Sequence, residues 1–414
     1  MTKNDKNHEL PGPLDGIRIL EYGVFHAGPG GCAILGDMGA EIIKIETENG
    51  DPERKWVRVG GMSFEMPHGR SMMYDFSNRN KRGITLNIKN PQGREIFNKL
   101  LEQSDVFLTN LRKSTKKKLG IDYDSITKIN PKIIHANVSG YGPKGPVADI
   151  GAFDPMGQAR GGMMFASGFE DPTLMQLAIL DQATAIAASH AMISALLVRE
   201  RTGKGQEIHV SLYGTATWLM YANLMACSLL KLDSNLPWKR SHNPPLRNSF
   251  CCKDGKWIMG VHHPPLKYWP LFCKSIGNES LTDDPRFNTE EKQSKNCPEL
   301  VEICDKIFLE KTRDEWVEIL QGNGLIFSPV FTFPEILKDQ QAQINDYIID
   351  FDDPDFGKIK MPGYPIHFSK NSTGQKKIAP KFDQHTDEVL KELGFTKEDI
   401  NRFRQDKVIF GENK

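Results

Sequence analysis

The chain has 414 residues and an ordinary globular composition, 39% hydrophobic and 26% charged, so more than one core and two domains are expected. Fifty-three basic residues balance 53 acidic ones, which argues against a nucleic-acid or membrane-surface partner, since any basic site must be local. Seven cysteines without metal-ligand spacing, and a polar start over 1–9 that is no signal peptide, point to reduced thiols, a cytoplasmic location and no metal site.

Residues 17–22 read as a first strand. A turn follows at Ala27-Gly28-Pro29-Gly30-Gly31, then a helix over 32–38 and a second strand over 40–46. This β-α-β unit aims a helix N-terminus at a possible phosphate. Its glycines lack the G-x-G-x-x-G spacing and Pro29 interrupts them. A dinucleotide oxidoreductase, with Glu46 as the ribose acid, is therefore kept only as a distant alternative. Lys81 and Arg82 precede a strand over 83–88, a helix over 91–104 and a strand over 105–110. The run from Lys113 to Lys118 holds four lysines. It is either a solvated face or, following a strand, the ligand edge of an open α/β sheet. A helix over 124–129 and a strand over 133–138 complete an alternation that implies a parallel, doubly wound sheet.

An apolar run then ends in a single acid, Asp181, at the start of a nearly uncharged helix over 183–197. Asp is a preferred N-cap, stabilised by the positive end of the helix dipole. A desolvated carboxylate is also a competent nucleophile toward an activated acyl group. Both readings stay open on these residues alone. A turn over 201–206 and a strand over 207–212 follow. The uncharged run 211–230 reads as a buried helix with its lead-in rather than a membrane span. A linker over 231–248 carries Pro237, Pro244 and Pro245. Beyond it lie a strand over 256–261, a helix over 266–276 and a helix ending at Gln321 that opens with a Thr312/Glu315 capping box. A helical tail spans 385–403, with Gly394 as a stop.

The ordered set of short motifs resembles the class III CoA-transferase family, the CaiB/BaiF type that also contains α-methylacyl-CoA racemases. The resemblance is carried by Pro13-Leu14-Asp15-Gly16-Ile17-Arg18-Ile19-Leu20-Glu21, Ala27-Gly28-Pro29, Gly39-Ala40-Glu41 and Asn80-Lys81-Arg82-Gly83. It continues through Asn130-Pro131-Lys132, Ser139-Gly140-Tyr141-Gly142, Phe153-Asp154, Gly157-Gln158-Ala159, Thr202-Gly203-Lys204-Gly205-Gln206 and His385-Thr386-Asp387. It implies an α/β fold. A large Rossmann-like domain would be built from both chain ends (1–225 and 330–414, with linkers), and a smaller inserted domain would span 226–329. It also implies an interlocked homodimer.

The resemblance places Asp181 as the catalytic aspartate of an acyl-CoA:carboxylate CoA-transferase. CoA would move from an acyl-CoA donor to a carboxylic acid acceptor through an aspartyl anhydride and an aspartyl-CoA thioester, with CoA as substrate and no permanently bound cofactor. Phe25, Ala27, Lys81, Arg82, Lys118, Leu119, Ser139 and Tyr141 match CoA-contacting positions, with Arg112 a weaker candidate. His26, Phe153, Asp154 and His263 match positions near the acyl group. His26 is open between binding a substrate carboxylate and satisfying a turn carbonyl, and Asp154 leans toward a structural role. The racemase branch is the alternative within the family; a non-catalytic acyl-CoA-binding protein is a further one. Racemases place a histidine where Phe153 stands and a glutamate near His263, so both departures favour transfer. His242-Asn243-Pro244-Pro245 in place of a glycine run, and His26 in place of a glutamine, argue against formate and oxalate as substrates, while Thr47 in place of a CoA-contacting arginine implies that the CoA contacts differ.

Overall fold

The structure, a computed structural model, describes residues 10–59, 61–166, 168, 171–231 and 239–411. The polar start over 1–9 and Pro237 of the expected linker lie outside the described residues. The chain divides into two compact units. The larger comprises Met1–Met164, Leu174–Leu232 and Asp346–Lys414; the smaller comprises Phe165–Thr173 and Asp233–Asn345.

The larger unit is built on six parallel strands: β1 (Arg18–Glu21), β2 (Glu41–Glu46), β3 (Lys81–Thr85), β4 (Val106–Thr109), β5 (Ile134–Ser139) and β6 (Gln206–Ser211). Their order across the sheet is β3-β2-β1-β4-β5-β6. Ile19 pairs with Ile42 and Val106, and Ala136 with Leu108 and Ile208. The chain winds outward from β1 in one direction and returns to build the other half from β4. The crevice beyond the carboxyl ends of β1 and β4 is therefore the topological switch point, where open α/β sheets bind ligands.

Both faces of the sheet are covered, so most strand residues are buried and the strands read as apolar runs. On one face Leu20, Ile43 and Phe107 pack on Phe97 and Leu100 of a helix over Pro91–Glu102, and on Leu390 and Phe403 of the C-terminal helices. On the other face Ile19, Ile42 and Leu108 pack on α1 (Ala27–Asp37) and α6 (Ile179–Thr202). Between these two come α2 (Met72–Asn78), α3 (Pro91–Glu102), α4 (Lys113–Leu119), a single helical turn over Tyr123–Ile126, and α5 (Asp154–Arg160). Glycine permits the close α1–α6 approach. A Cβ added at Gly31 would sit 3.1 Å from the Ala188 methyl and 3.2 Å from the Ala185 carbonyl oxygen.

Two expectations change. Helix α1 begins at Ala27, five residues earlier than predicted, because Pro29 falls in the first turn, where no N–H is needed. The run 211–230 is two helices, α7 (Leu212–Leu219) and α8 (Tyr221–Leu230), and no residue of α8 is buried. Trp218 is 74% exposed and Leu229 68%. Leu212 and Ala216 of α7 do pack into the core of the larger unit, so only the start of the run is buried. Among the described residues, no helix is long and apolar enough to cross a membrane.

The smaller unit carries a three-stranded antiparallel sheet, with Trp257–Val261 between Arg247–Cys251 and Phe327–Val330. Phe250, Phe272, Phe308 and Trp316 form its core. The Thr312/Glu315 capping box is present as predicted.

Candidate active site

Asp181 is the third residue of α6, and it is not the N-cap. Ala178 holds that position in a left-handed conformation, φ 57°, without a side-chain cap, and Leu177 before it has φ 60°. The cap comes from elsewhere in the chain. Asp154, the first residue of α5, accepts the Leu180 N–H at 2.7 Å and the Asp181 N–H at 2.9 Å on its Oδ2. Its Oδ1 accepts from Gln158 Nε2 at 2.5 Å. Gln158 clasps Met175 in turn, donating to its carbonyl at 2.9 Å and accepting its N–H at 3.1 Å. The carboxylate that ordinarily caps a helix from the adjacent residue is thus supplied from α5, and the Asp181 side chain is left free of that task.

That freedom has an electrostatic cost. A helix N-terminus favours a carboxylate anion, yet burial pushes the Asp181 carboxyl up to about 7, with the like charge of Asp154 adding to it. Desolvation outweighs the dipole. The result is a carboxyl that ionises near neutrality and is weakly solvated once ionised, the property a carboxylate nucleophile needs.

An aromatic cluster stands nearby in sequence and space to α5 and α1. Phe25 meets Trp56 edge-on at 5.4 Å and Phe153 edge-on at 5.1 Å, with Trp56 and Phe153 6.2 Å apart. Phe153 is 48% exposed, so the cluster offers an open apolar wall. Phe25 has φ 58°, a conformation unusual for a bulky residue and found where surrounding structure imposes it. The Asp51 carboxylate accepts the Phe25 N–H at 3.2 Å, and Asn110 holds Val24 on both sides, accepting its N–H at 3.0 Å and donating to its carbonyl at 2.6 Å.

His26 is buried, stacked 4.1 Å from Phe76. Its Nδ1 lies 2.6 Å from Ser77 Oγ and its Nε2 2.8 Å from Gln182 Oε1. Burial pushes the imidazole down to about 3, so it is neutral. With both nitrogens engaged, His26 is neither a free ligand for a substrate carboxylate nor a cap for a turn carbonyl.

Beneath β1 and β2 lies a dry ionic network. Lys44 Nζ is 2.9 Å from Glu21 and 2.9 Å from Asp51, and Lys81 Nζ is 2.7 Å from Glu21 and donates to the Pro29 carbonyl. The Lys81 side chain is fully enclosed, so this structure does not present it to a phosphate. Arg82 is likewise engaged, by Glu41 at 2.6 Å, Glu388 at 2.8 Å and Glu392 at 2.7 Å. Glu46 receives Arg54 through two nitrogens, the Tyr74 hydroxyl and the Asp51 N–H. That saturation removes it as a ribose ligand and with it the main support for the dinucleotide alternative.

Of the remaining expected contacts, Ala27 is buried at the start of α1 and Leu119 is buried at the end of α4. Lys118 and Arg112 are exposed. Ser139, ending β5, accepts the Gly142 N–H at 3.1 Å, and Tyr141 lies under the Arg160 guanidinium at 5.4 Å. His263 belongs to the smaller unit and is exposed, while its neighbour His262 is buried, accepting the Ile326 N–H at 2.7 Å. The structure therefore joins Asp154 to Asp181, Phe25 to Phe153, and His26 to the residue beside Asp181. Trp56 and Gln182 were not anticipated. The one sequence signal for Trp56 is a lone large aromatic after the charged stretch Glu53-Arg54-Lys55.

A cavity of about 60 Å³ opens at the switch point, lined by Tyr22, Val24, Glu46, Thr47, Asp51 and Leu111. The cavity lies alongside the loop that carries Phe25. The chain matches the family model described as CoA-transferase family III over residues 14–386. It is 34% identical over 405 residues to (R)-2-hydroxy-4-methylpentanoate CoA-transferase of Clostridioides difficile, covering 96% of this chain and 99% of that one. It is 32% identical over 385 residues to succinyl-CoA:glutarate CoA-transferase of Mus musculus, covering 92% and 86%. The crystal structure of a CAIB/BAIF family protein from Brucella suis superposes with a TM-score of 0.81 at 26% identity, over 92% of this chain and all of that one. The resemblance of the short motifs is thereby shown along nearly the whole length: the chain belongs to CoA-transferase family III.

Proposed function

We propose that this protein moves CoA from an acyl-CoA donor to a carboxylic acid acceptor, with Asp181 as the nucleophile. The observation that carries the reading is the Asp181 carboxyl itself: in the first turn of α6, relieved of capping by Asp154, and raised to about 7. Its carboxylate attacks the donor thioester carbonyl, forming an aspartyl anhydride and releasing CoA thiolate. The thiolate attacks the aspartyl carbonyl, giving an aspartyl-CoA thioester and the free donor acid. The acceptor carboxylate then attacks that thioester, and returning thiolate yields the new acyl-CoA and regenerates Asp181. Each step exchanges one activated acyl bond for another, so the chemistry asks for no redox change. The competing nucleophile nearest in type, Cys32, is buried and its thiol is pushed well above the usual range, which keeps it inert.

The aromatic wall of Phe25, Trp56 and Phe153 supports an acyl group with an apolar portion. Relatives named for 2-hydroxy-4-methylpentanoate and for cinnamoyl-CoA and phenyllactate, the latter 30% identical, make such acids the first panel to assay. The exposed apolar residues of α7 and α8 support a second copy of the chain as their cover, as the homodimer reading requires.

The test is covalent trapping. Incubation with an acyl-CoA alone, followed by hydroxylamine or borohydride and peptide mass spectrometry, is expected to locate the modification on Asp181. Modification on a cysteine, or near-normal turnover of folded Asp181→Ala, would overturn the reading.

A further inference from the structure

The first turn of α6 has two ways to begin. Asp is a preferred N-cap, and a helix starting at Gln182 would let Asp181 cap it, its carboxylate accepting the N–H of Ala183 or Thr184. The helix instead runs back to Ile179, with Ala178 at the N-cap position and no side-chain cap of its own. That longer helix requires Leu177 at φ 60° and Ala178 at φ 57°. Two consecutive non-glycine residues in the left-handed region persist only where the surrounding structure imposes them.

The imposing group is the Gln158 amide, which is fully buried. Its NH2 donates to Asp154 Oδ1 at 2.5 Å and to the Met175 carbonyl at 2.9 Å, and its Oε1 accepts the Met175 N–H at 3.1 Å. The orientation is unique: turned over, the amide would set its carbonyl against a carboxylate and a second carbonyl. Through Asp154 Oδ2, which accepts the Leu180 and Asp181 N–H groups, the same side chain reaches the far side of the turn. Both flanks of the left-handed pair are thus tied to one amide. Among the described residues, no other hydrogen bond holds the backbone from Leu174 to Leu177, and the side chains of Leu174, Met175 and Leu177 are exposed. The support itself is firm. A Cβ at Gly157 would come within 2.6 Å of Leu180 Cδ2, so the glycine lets α5 seat closely on α6 beside Gln158.

We propose that Gln158 is a positioning residue: by gripping Met175 and Asp154 together it holds Leu177 and Ala178 left-handed, keeps α6 running back to Ile179, and so denies Asp181 the capping role and leaves its carboxylate available to react. Released from Gln158, the pair relaxes, the first turn unwinds, and Asp181 turns to its own helix. The inference rests on the assignment of Asp181 as nucleophile, but its first readout does not.

That readout is hydrogen–deuterium exchange of the full-length protein, followed in overlapping peptides. Gln158→Met keeps the length of the side chain and removes all three bonds. The amides of Leu180, Asp181 and Gln182 are expected to exchange at least tenfold faster, with β1 and α3 unchanged. Unchanged exchange over 180–182 overturns the proposal whatever the fate of Asp181, whereas a folded, active Asp181→Ala removes the nucleophile and leaves this result standing. Kinetics form the second arm. Gln158→Met lowers kcat at least tenfold with KM for acyl-CoA within about twofold, the split expected when a reacting group is misplaced and substrate binding is not. Adding Ala178→Gly, which accepts a positive φ freely, recovers at least threefold of that loss. Ala178→Val leaves Gln158 intact and resists a positive φ, so it lowers kcat at least tenfold by itself. If glycine at position 178 recovers nothing, or Ala178→Val keeps full kcat, the turn is not what Gln158 supplies and the proposal fails.

Discussion

Replacing Asp181 by Asn exchanges a strained carboxyl for a neutral isostere, and its effect on stability follows from the raised pKa. The folded group titrates at about 7 and the unfolded one at 3.8. Below pH 4 both states are protonated and Asp181 is neutral toward stability. Between pH 4 and 7 the folded chain retains a proton that the unfolded chain has lost, so each unit of rising pH removes about 1.4 kcal/mol of stability. Above pH 7 the loss levels off at a ceiling of about 4 kcal/mol. Asp181 is only partly buried, and water relieves part of that, so we expect Asp181→Asn to gain roughly 1–3 kcal/mol at pH 8. In thermal unfolding this is a rise in Tm of roughly 2–5 °C for a unit of this size. At pH 5 the gain should be less than half as large, and CoA transfer should be abolished at both. Differential scanning calorimetry across pH 5–8 reads the difference directly. A variant that melts at or below the parent at pH 8, or a gain independent of pH, refutes the claim that the folded site destabilises its own carboxylate.

Four other outcomes are expected. Asp154→Asn removes the like charge beside Asp181 while keeping an acceptor for its N–H, so the midpoint of the pH–kcat profile should move to lower pH; an unmoved or higher midpoint contradicts it. Lys118→Ala, on an exposed lysine after β4, should raise KM for acyl-CoA by roughly 5- to 100-fold with kcat nearly intact, which initial-rate kinetics checks. Lys81→Met should leave KM within about twofold and instead destabilise the fold by roughly 3–5 kcal/mol, because Glu21 loses a buried partner; urea denaturation measures it. In D₂O, a 2-methylacyl-CoA without acceptor acid should neither racemise nor take up deuterium at turnover rates, since Phe153 carries no proton to exchange; rapid deuteration without CoA transfer would favour the racemase branch.

The α/β alternation was legible because the inner sheet strands are buried on both faces and therefore read as apolar runs such as Ile42-Ile43 or Val106-Phe107-Leu108, whereas the edge strand β6 has no buried residue. Asp181 stood out for a related reason: it is the one acid in a long apolar context. What the sequence hid was long-range. The cap of α6 comes from Asp154, 27 residues upstream, and no local pattern announces it. Lys81 looks like a surface cation in Asn80-Lys81-Arg82 and is instead sealed against Glu21, a partner 60 residues away. Glu53 sits in a charged stretch that reads as solvated, yet a single turn of 3-10 helix over Pro52–Lys55 turns it inward. Periodicity reports which face is apolar; it carries no information about which charges find one another beneath it.

Asp51 holds Lys44 with one oxygen and the Phe25 N–H with the other. The hidden electrostatics of the sheet and the shape of the aromatic cluster proposed to face the acyl group therefore share one joint. A substitution at the fully buried Lys44 changes the pull on Asp51 and so the grip on a phenylalanine held at φ 58°. Libraries intended to broaden the acids this protein accepts should accordingly sample Lys44, Asp51 and Glu21 together with the visible pocket residues. Selection for new substrates can reach Phe25 from underneath, leaving Phe25, Trp56 and Phe153 themselves unchanged.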